Sequence, residues 1–210
     1  MSFDYAIRAE TAQDHAGVRE THARAFDDAD RVPGLVDALR AAPAALAPIS
    51  LVATVDDQVV GHVMLSACRL DADRRLVDVF SLSPLGVQPD YQGCGIATRL
   101  VATALAAADE RGVPLVFVEG SPAFYGTRGF TRASAHGFRA PSLRMPDPGF
   151  QVAVLSSHEP WMAGTFVYSE AFWAYDCVGL RDPKRIAAIN AQFGSAVARM
   201  PDAGRRTAAP

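Results

Sequence analysis

Lysine is nearly missing from this 210-residue chain: of its twenty lysines and arginines only Lys184 is a lysine. A Walker loop cradles phosphate with G-x-x-x-x-G-K-[ST], so its lysine requirement excludes that nucleotide-binding class. Cysteine is scarce too. Cys68, Cys94 and Cys177 are far apart, odd in number and outside metal-ligand spacing, which excludes a disulfide framework and a cysteine metal site; no metal is expected. No apolar run is long enough to span a bilayer and no N-terminal segment reads as a signal peptide, so a soluble, reduced, cytoplasmic protein is expected, with no membrane partner. Charge of one sign is lacking as well: the formal net charge is −3 and the acids and bases are scattered. Without a basic stripe, a nucleic-acid partner is not expected. There is no internal repeat.

What the chain does have is apolar material, 50% of its residues, sufficient for one good-sized core. Residues 3–10 have strand character, and Asp14 to Phe26 follows with helical spacing. A short helix fits Leu35 to Ala41. Residues 49–70 form two β-rich runs around Asp56-Asp57-Gln58, a hairpin. Strand 76–87 carries Pro84 and Gly86 near its end, where one cannot donate to a ladder and the other weakens it, so this strand is expected to bulge or leave a neighbour. Ala97, Leu100, Val101, Ala104, Leu105 and Ala108 repeat at helical spacing until Gly112 and Pro114. Residues 113–119 read as a strand covered on both faces. A turn of helix at 121–125, strands at 150–155 and 164–168, a helix over 182–198 and a disordered tail over 199–210 complete the reading. Residues 136–149 read as an exposed flap. The order predicts an α/β or α+β fold around one central sheet.

The stretch LGVQPDYQGCGIATRL (85–100) sets two glycines at the mouth of a helix. A plain tight loop is the bland explanation. A helix N-terminus, however, carries unpaired N–H groups and about half a positive charge, so a glycine-lined approach admits phosphate oxygens to the backbone. A dinucleotide-binding G-x-G-x-x-G would need glycine at Thr98, and the five residues Gln88–Gln92 leave no room for its tight turn.

Gln92-Gly93-Cys94-Gly95-Ile96-Ala97 matches Q-x-x-G-x-A, and in this it resembles the pyrophosphate loop of the GNAT superfamily of acetyl-CoA-dependent N-acyltransferases. Tyr125-Gly126-Thr127-Arg128-Gly129-Phe130 resembles that family's Y-x-x-x-G-F segment. Pro84, Leu85, Val87 and Pro89 fit the P-L-x-V-x-P strand end of a bacterial branch of predicted N-acetyltransferases. The likeness spans roughly residues 5–172. It implies a mixed, mostly antiparallel sheet splayed near its middle and flanked by helices, with the acetyltransferase domain over 1–175, a helical extension over 176–200 and a tail over 201–210.

The resemblance also implies a chemistry: acetyl-CoA as cosubstrate and direct attack by an amine in a ternary complex. Backbone N–H groups from Gly93, Cys94, Gly95, Ile96, Ala97 and Thr98 would cradle the diphosphate, with Gln92 shaping the loop. Leu85 and Val87 would bond the pantetheine arm as an added strand does. Tyr125 would protonate the departing thiolate, against the alternative of a packing tyrosine. No general base stands out. Glu119 is a candidate that also reads as a solvated strand-end acid; His62 reads as a core histidine and Cys94 as a small loop residue. Ser81 and Ser83 fit a cleft lining or a semi-polar sheet face, and Arg99 and Arg128 either face phosphate or are surface charges. The acceptor, a small-molecule or peptide amine, would meet residues 14–42 and 131–149. Aromatic residues at 166–175 suit an interface with a second copy. A non-catalytic acyl-CoA sensor of the same fold, and more remotely a dinucleotide-binding oxidoreductase, stay open.

Overall fold

Alternation along the long strands decides the architecture. Met64 packs with Val18 and Leu35 on one face of the sheet, whereas its neighbours Val63 and Leu65 pack with Ile96, Leu100 and Val101 on the other. A strand apolar on both faces must be covered on both, and helices supply the two covers. The computed structural model describes residues 4–194. Its strands are β1 (Ala6–Ala9), β2 (Ile49–Val55), β3 (Gln58–Ala72), β4 (Leu76–Val87), β5 (Leu115–Glu119), β6 (Thr131–Arg132), β7 (Phe150–Val154) and β8 (Gly164–Val167). Its helices are α1 (His15–Phe26), α2 (Arg31–Ala41), α3 (Ile96–Glu110), α4 (Pro122–Tyr125), α5 (Glu170–Ala174) and α6 (Pro183–Phe193).

The sheet runs β1-β2-β3-β4-β5-β7-β6, with β8 also on β3. Its ladders are antiparallel except β4 against β5, which is parallel and pairs only Phe80 with Val116 and Ser81 with Phe117. Beyond Ser81 the two strands part. On its other side β4 stays paired with β3 to Val87, with a register shift between Val63 and Leu65 opposite Leu82–Leu85. This is the mixed, splayed sheet expected for strand 76–87. The β2–β3 hairpin closes through Asp56 and Asp57, both at positive φ, as a two-residue turn matched to strand twist requires.

Two expectations need correction. Helix α2 begins at Arg31, not Leu35, because Pro33 falls in the first turn, where a missing N–H costs nothing. Residues 136–149 are no exposed flap: Phe138 and Met145 are buried in the α1/α2-side core, and Arg139 N–H donates to Gly164 O at 2.9 Å. Strand β8 lies on β3 from Arg69 to Ala72, beside residues that β2 no longer reaches. The expected continuation of the last helix to 198, and the tail after it, lie outside the described residues.

Candidate active site

Gly95 stands at the N-cap of α3 with φ +84°, and Gly93 precedes it at φ +77°. Both angles lie where a Cβ is strained, and no side chain caps the helix. A Cβ on Gly93 would meet nothing within 4 Å, so the loop borders open space. That space is a groove of about 460 Å³, lined by Gln92, Gly93, Gly95, Ile96, Ala97 and Thr98 on the loop side and by Leu85 and Val87 on the strand side. Cys94 belongs to the loop without lining the groove; its Sγ turns back to Gln92 O at 3.6 Å. Gln92 Nε2 donates to Val87 O at 3.0 Å, tying the loop to the strand end. Because Gln88 N–H donates to Val60 O on β3 at 2.9 Å, alternation turns the polar groups of Leu85 and Val87 the opposite way, toward the parted side of β4.

Cationic groups flank this groove. Arg128 donates to Thr98 Oγ1 from Nη2 (2.8 Å) and Nε (3.0 Å), in the first turn of α3, and lies 3.7 Å from the Phe124 ring centre. Arg99 sits over the Tyr5 ring at 5.5 Å, outside the groove lining.

A second pocket, of about 560 Å³, meets the groove at Leu85, which lines both. Helix α4 divides them: Phe124 lines the groove and Tyr125 the second pocket, as consecutive helical residues point about 100° apart. The Tyr125 ring packs edge-on to Phe124 and Phe130 and so close over Gly120 that a Cβ there would lie 2.3 Å from it. Burial pushes its phenol up to about 12, with Arg128 acting the other way. Glu119 lines the same pocket. Burial raises its carboxyl, opposed by the Gly179 N–H donated to Oε2 at 3.0 Å and by the charge of Arg144. Phe26, Arg31, Val32 and Leu35 reach this pocket from α1 and α2, and Pro146 and Gly149 from the segment before β7. Ser83 lines it, while Ser81 is buried.

Two features escaped the sequence reading. Arg185, Ile189 and Phe193, at i, i+4 and i+8 on α6, form one wall of the second pocket; an amphipathic helix is legible, but not the surface it docks on. His62 is the buried core histidine expected, but the polar chain that satisfies it was not read: its Nδ1 lies 2.7 Å from His22 Nε2 and its Nε2 2.8 Å from Ser50 Oγ, which in turn donates to Glu10. Among the described residues, no cluster of histidine, cysteine and acidic groups is placed to hold a metal ion, and no helix is long and apolar enough to cross a membrane.

The model of the acetyltransferase (GNAT) domain family matches residues 6–133. The chain is 33% identical over 132 residues to the uncharacterized N-acetyltransferase YjhQ of Escherichia coli K12, covering 61% of this chain and 71% of that one. To the uncharacterized N-acetyltransferase YhbS of the same strain it is 34% identical over 134 residues, covering 63% and 77%. Its fold is similar to the crystal structure of Escherichia coli YhbS in complex with CoA (TM-score 0.72, 30% identity, 82% of this chain and 93% of that one). It is also similar to a GNAT family acetyltransferase from Brucella melitensis in complex with acetyl-CoA (TM-score 0.64, 29% identity, 80% and 98%).

Proposed function

Since the chain belongs to the GNAT acetyltransferase family, we propose that it transfers an acetyl group from acetyl-CoA to an amine by direct attack within a ternary complex. The observation that carries this reading is the junction of two spaces at Leu85, one rimmed by the open, glycine-bordered N-terminus of α3 and the other holding a half-buried carboxyl and a phenol. Two neighbours of similar fold are complexes with CoA and acetyl-CoA, and the residues here fit such a molecule. Backbone N–H groups from Gly93 to Thr98 take the diphosphate. The outward polar groups of Leu85 and Val87 pair with the amides of the pantetheine arm, which brings the thioester to the junction.

The acceptor arrives as an ammonium ion. Glu119, whose raised pKa makes it the stronger base, removes one proton and leaves a neutral amine. The amine nitrogen bonds to the thioester carbon, and the carbonyl π electrons move onto oxygen, where a backbone N–H at Leu85 or Val87 stabilises the charge. As the oxyanion collapses the C–S bond breaks, and the sulfur takes the proton of the Tyr125 hydroxyl. The second amine proton then returns to the Tyr125 phenolate through solvent, and Glu119 releases its own to bulk. Products are the N-acetylamine, CoA thiol and one proton. The test is thiol release from acetyl-CoA in the presence and absence of an amine panel, with the acetylated product identified by mass. Release that requires amine supports the reading; CoA binding without amine-dependent release overturns it.

A further inference from the structure

The second pocket narrows the class of acceptor, an argument that rests on the acetyl-transfer reading above. Its volume of about 560 Å³ suits a small molecule. Its charges are mostly committed. Asp176 accepts two hydrogen bonds from Arg181, at 2.7 and 2.6 Å, and has Arg144 at 3.7 Å; Arg31 Nε donates to Asp28 at 3.0 Å. Glu119 alone keeps an oxygen bonded to no protein group among the described residues, and it stands at the end of β5, in the lining that it shares with Tyr125 and Leu85. Opposite the sheet, α6 presents Ile189 and Phe193, both half-buried, on the pocket side. Asp182 caps that helix by accepting the Lys184 N–H at 2.9 Å, and Arg132 Nη2, donating to Phe193 O at 2.5 Å, ties its far end to β6. The helix also lies beyond residues 6–133, so this wall is not part of the stretch that defines the family.

We infer that this pocket takes a small primary amine carried on an apolar body of about ring size, its ammonium against Glu119 and its body against Ile189 and Phe193. Ser83, Ser121 and Tyr168 also line the pocket, but on the side of Phe26, Leu35, Leu82, Ile189 and Phe193, where the body of the acceptor is placed, the hydroxyls of a polyhydroxylated amine would lose water and find no side-chain partner. A polycation would bring several charges to a pocket with one uncommitted carboxyl and with the Arg185 cation exposed at its rim.

The experiment compares 2-phenylethylamine, glucosamine and spermidine as acceptors for the full chain with acetyl-CoA. It also measures calorimetrically the binding of the same amines to the protein saturated with CoA. The expected result is kcat/KM for 2-phenylethylamine about tenfold or more above the other two, the scale on which apolar pockets discriminate. Ile189→Asn and Phe193→Ser, both at half-buried positions, should each lower that value about fivefold or more with KM for acetyl-CoA unchanged. Ile189→Trp, which narrows the pocket, should cost 2-phenylethylamine more than propylamine. Preference for spermidine or glucosamine, or indifference to all three α6 substitutions, overturns the inference and leaves acetyl transfer standing. If no amine is acetylated, the transfer reading falls and binding decides: 2-phenylethylamine bound by the wild type and lost in Ile189→Asn supports the pocket assignment, and no binding overturns it.

Discussion

Tyr125 and Glu119 owe their chemistry to the same cause. Burial disfavours the charged form of each, so the phenol, pushed up to about 12, stays a proton donor, while the carboxyl, raised above its ordinary 4.5, holds a proton more firmly once it has taken one. The acid and the base proposed for this pocket thus take their shifts from burial, which outweighs Arg128 at one and Arg144 and the Gly179 N–H at the other. Removing only the hydroxyl in Tyr125→Phe keeps the ring against Phe124 and Phe130. We expect kcat to fall on the order of 10²-fold with KM for acetyl-CoA and CoA affinity nearly unchanged, in steady-state and binding measurements. A loss below about threefold would make Tyr125 a packing residue, since proton transfer ordinarily contributes far more. For Glu119 the sign is set by its raised pKa: activity should climb with pH through a midpoint above 4.5, because the base works only when ionised. Glu119→Gln should abolish that limb of the pH–rate profile; a limb that survives assigns it to another group.

Among the elements, those whose meaning is local were legible in the sequence. The loop Gln92–Ala97 declared itself because glycine at a helix mouth is costly without a use, and Pro84 with Gly86 marked the strand that parts from β5. Partner choice was not legible. Nothing in Gly164–Val167 says that it will lie on β3 rather than extend the far edge, and nothing in Ile189 or Phe193 says which surface α6 covers; both depend on contacts far away in sequence. Residues 136–149 misled for a related reason, since their prolines and glycines signal turns while Phe138 and Met145, too sparse for any period, fill the core. The loop supports two predictions. Gly95→Val puts a β-branched residue at φ +84°, which it adopts only under strain, so the α3 N-terminus should lose its open form. CoA affinity by calorimetry should drop at least about tenfold, a shift of 1.4 kcal/mol. Gln92→Ala removes the donor to Val87 O at 3.0 Å and should weaken CoA binding more mildly, by about fivefold, the worth of one hydrogen bond of about 1 kcal/mol. Equal affinity in both variants would leave the loop as mere connection.

Across the whole molecule, the chain from α1 through β3 and β2 to the residue after β1 sets the response to acid. Glu10 accepts from Ser50 and Arg40, so the proton order runs His22 Nε2–H to His62 Nδ1 and His62 Nε2–H to Ser50. Burial, rather than the bond order, keeps both rings neutral, and a neutral His62 accepts at Nδ1. Desolvation lowers His22, with His62 and Arg40 adding to it and Glu10 opposing; desolvation also lowers His62, with Glu10 opposing and Arg40 adding. The unfolded chain takes up protons below about 6.5 that the native protein refuses, so stability must fall as pH drops through that value. Burial works against the charge of Glu10, but His62 first, then Ser50 and Arg40, prevail and hold it down at about 2, so a further loss follows below the ordinary 4.5. Urea unfolding between pH 8 and 5 should show a slope approaching about 1.4 kcal/mol per pH unit for each histidine, reduced by one such share in His62→Gln. A flat profile would contradict the network. The seam between β4 and β5 has a kinetic consequence of its own. With only Phe80–Val116 and Ser81–Phe117 bridging the centre of the sheet, local opening should begin there. The Phe117 amide, which alternation turns toward β4 while that of Val116 turns to β7, should then exchange with deuterated solvent sooner than those of β3, which is laddered on both sides, and a ligand lodged past Ser81 should slow that exchange by acting as the wedge that stops the seam from running.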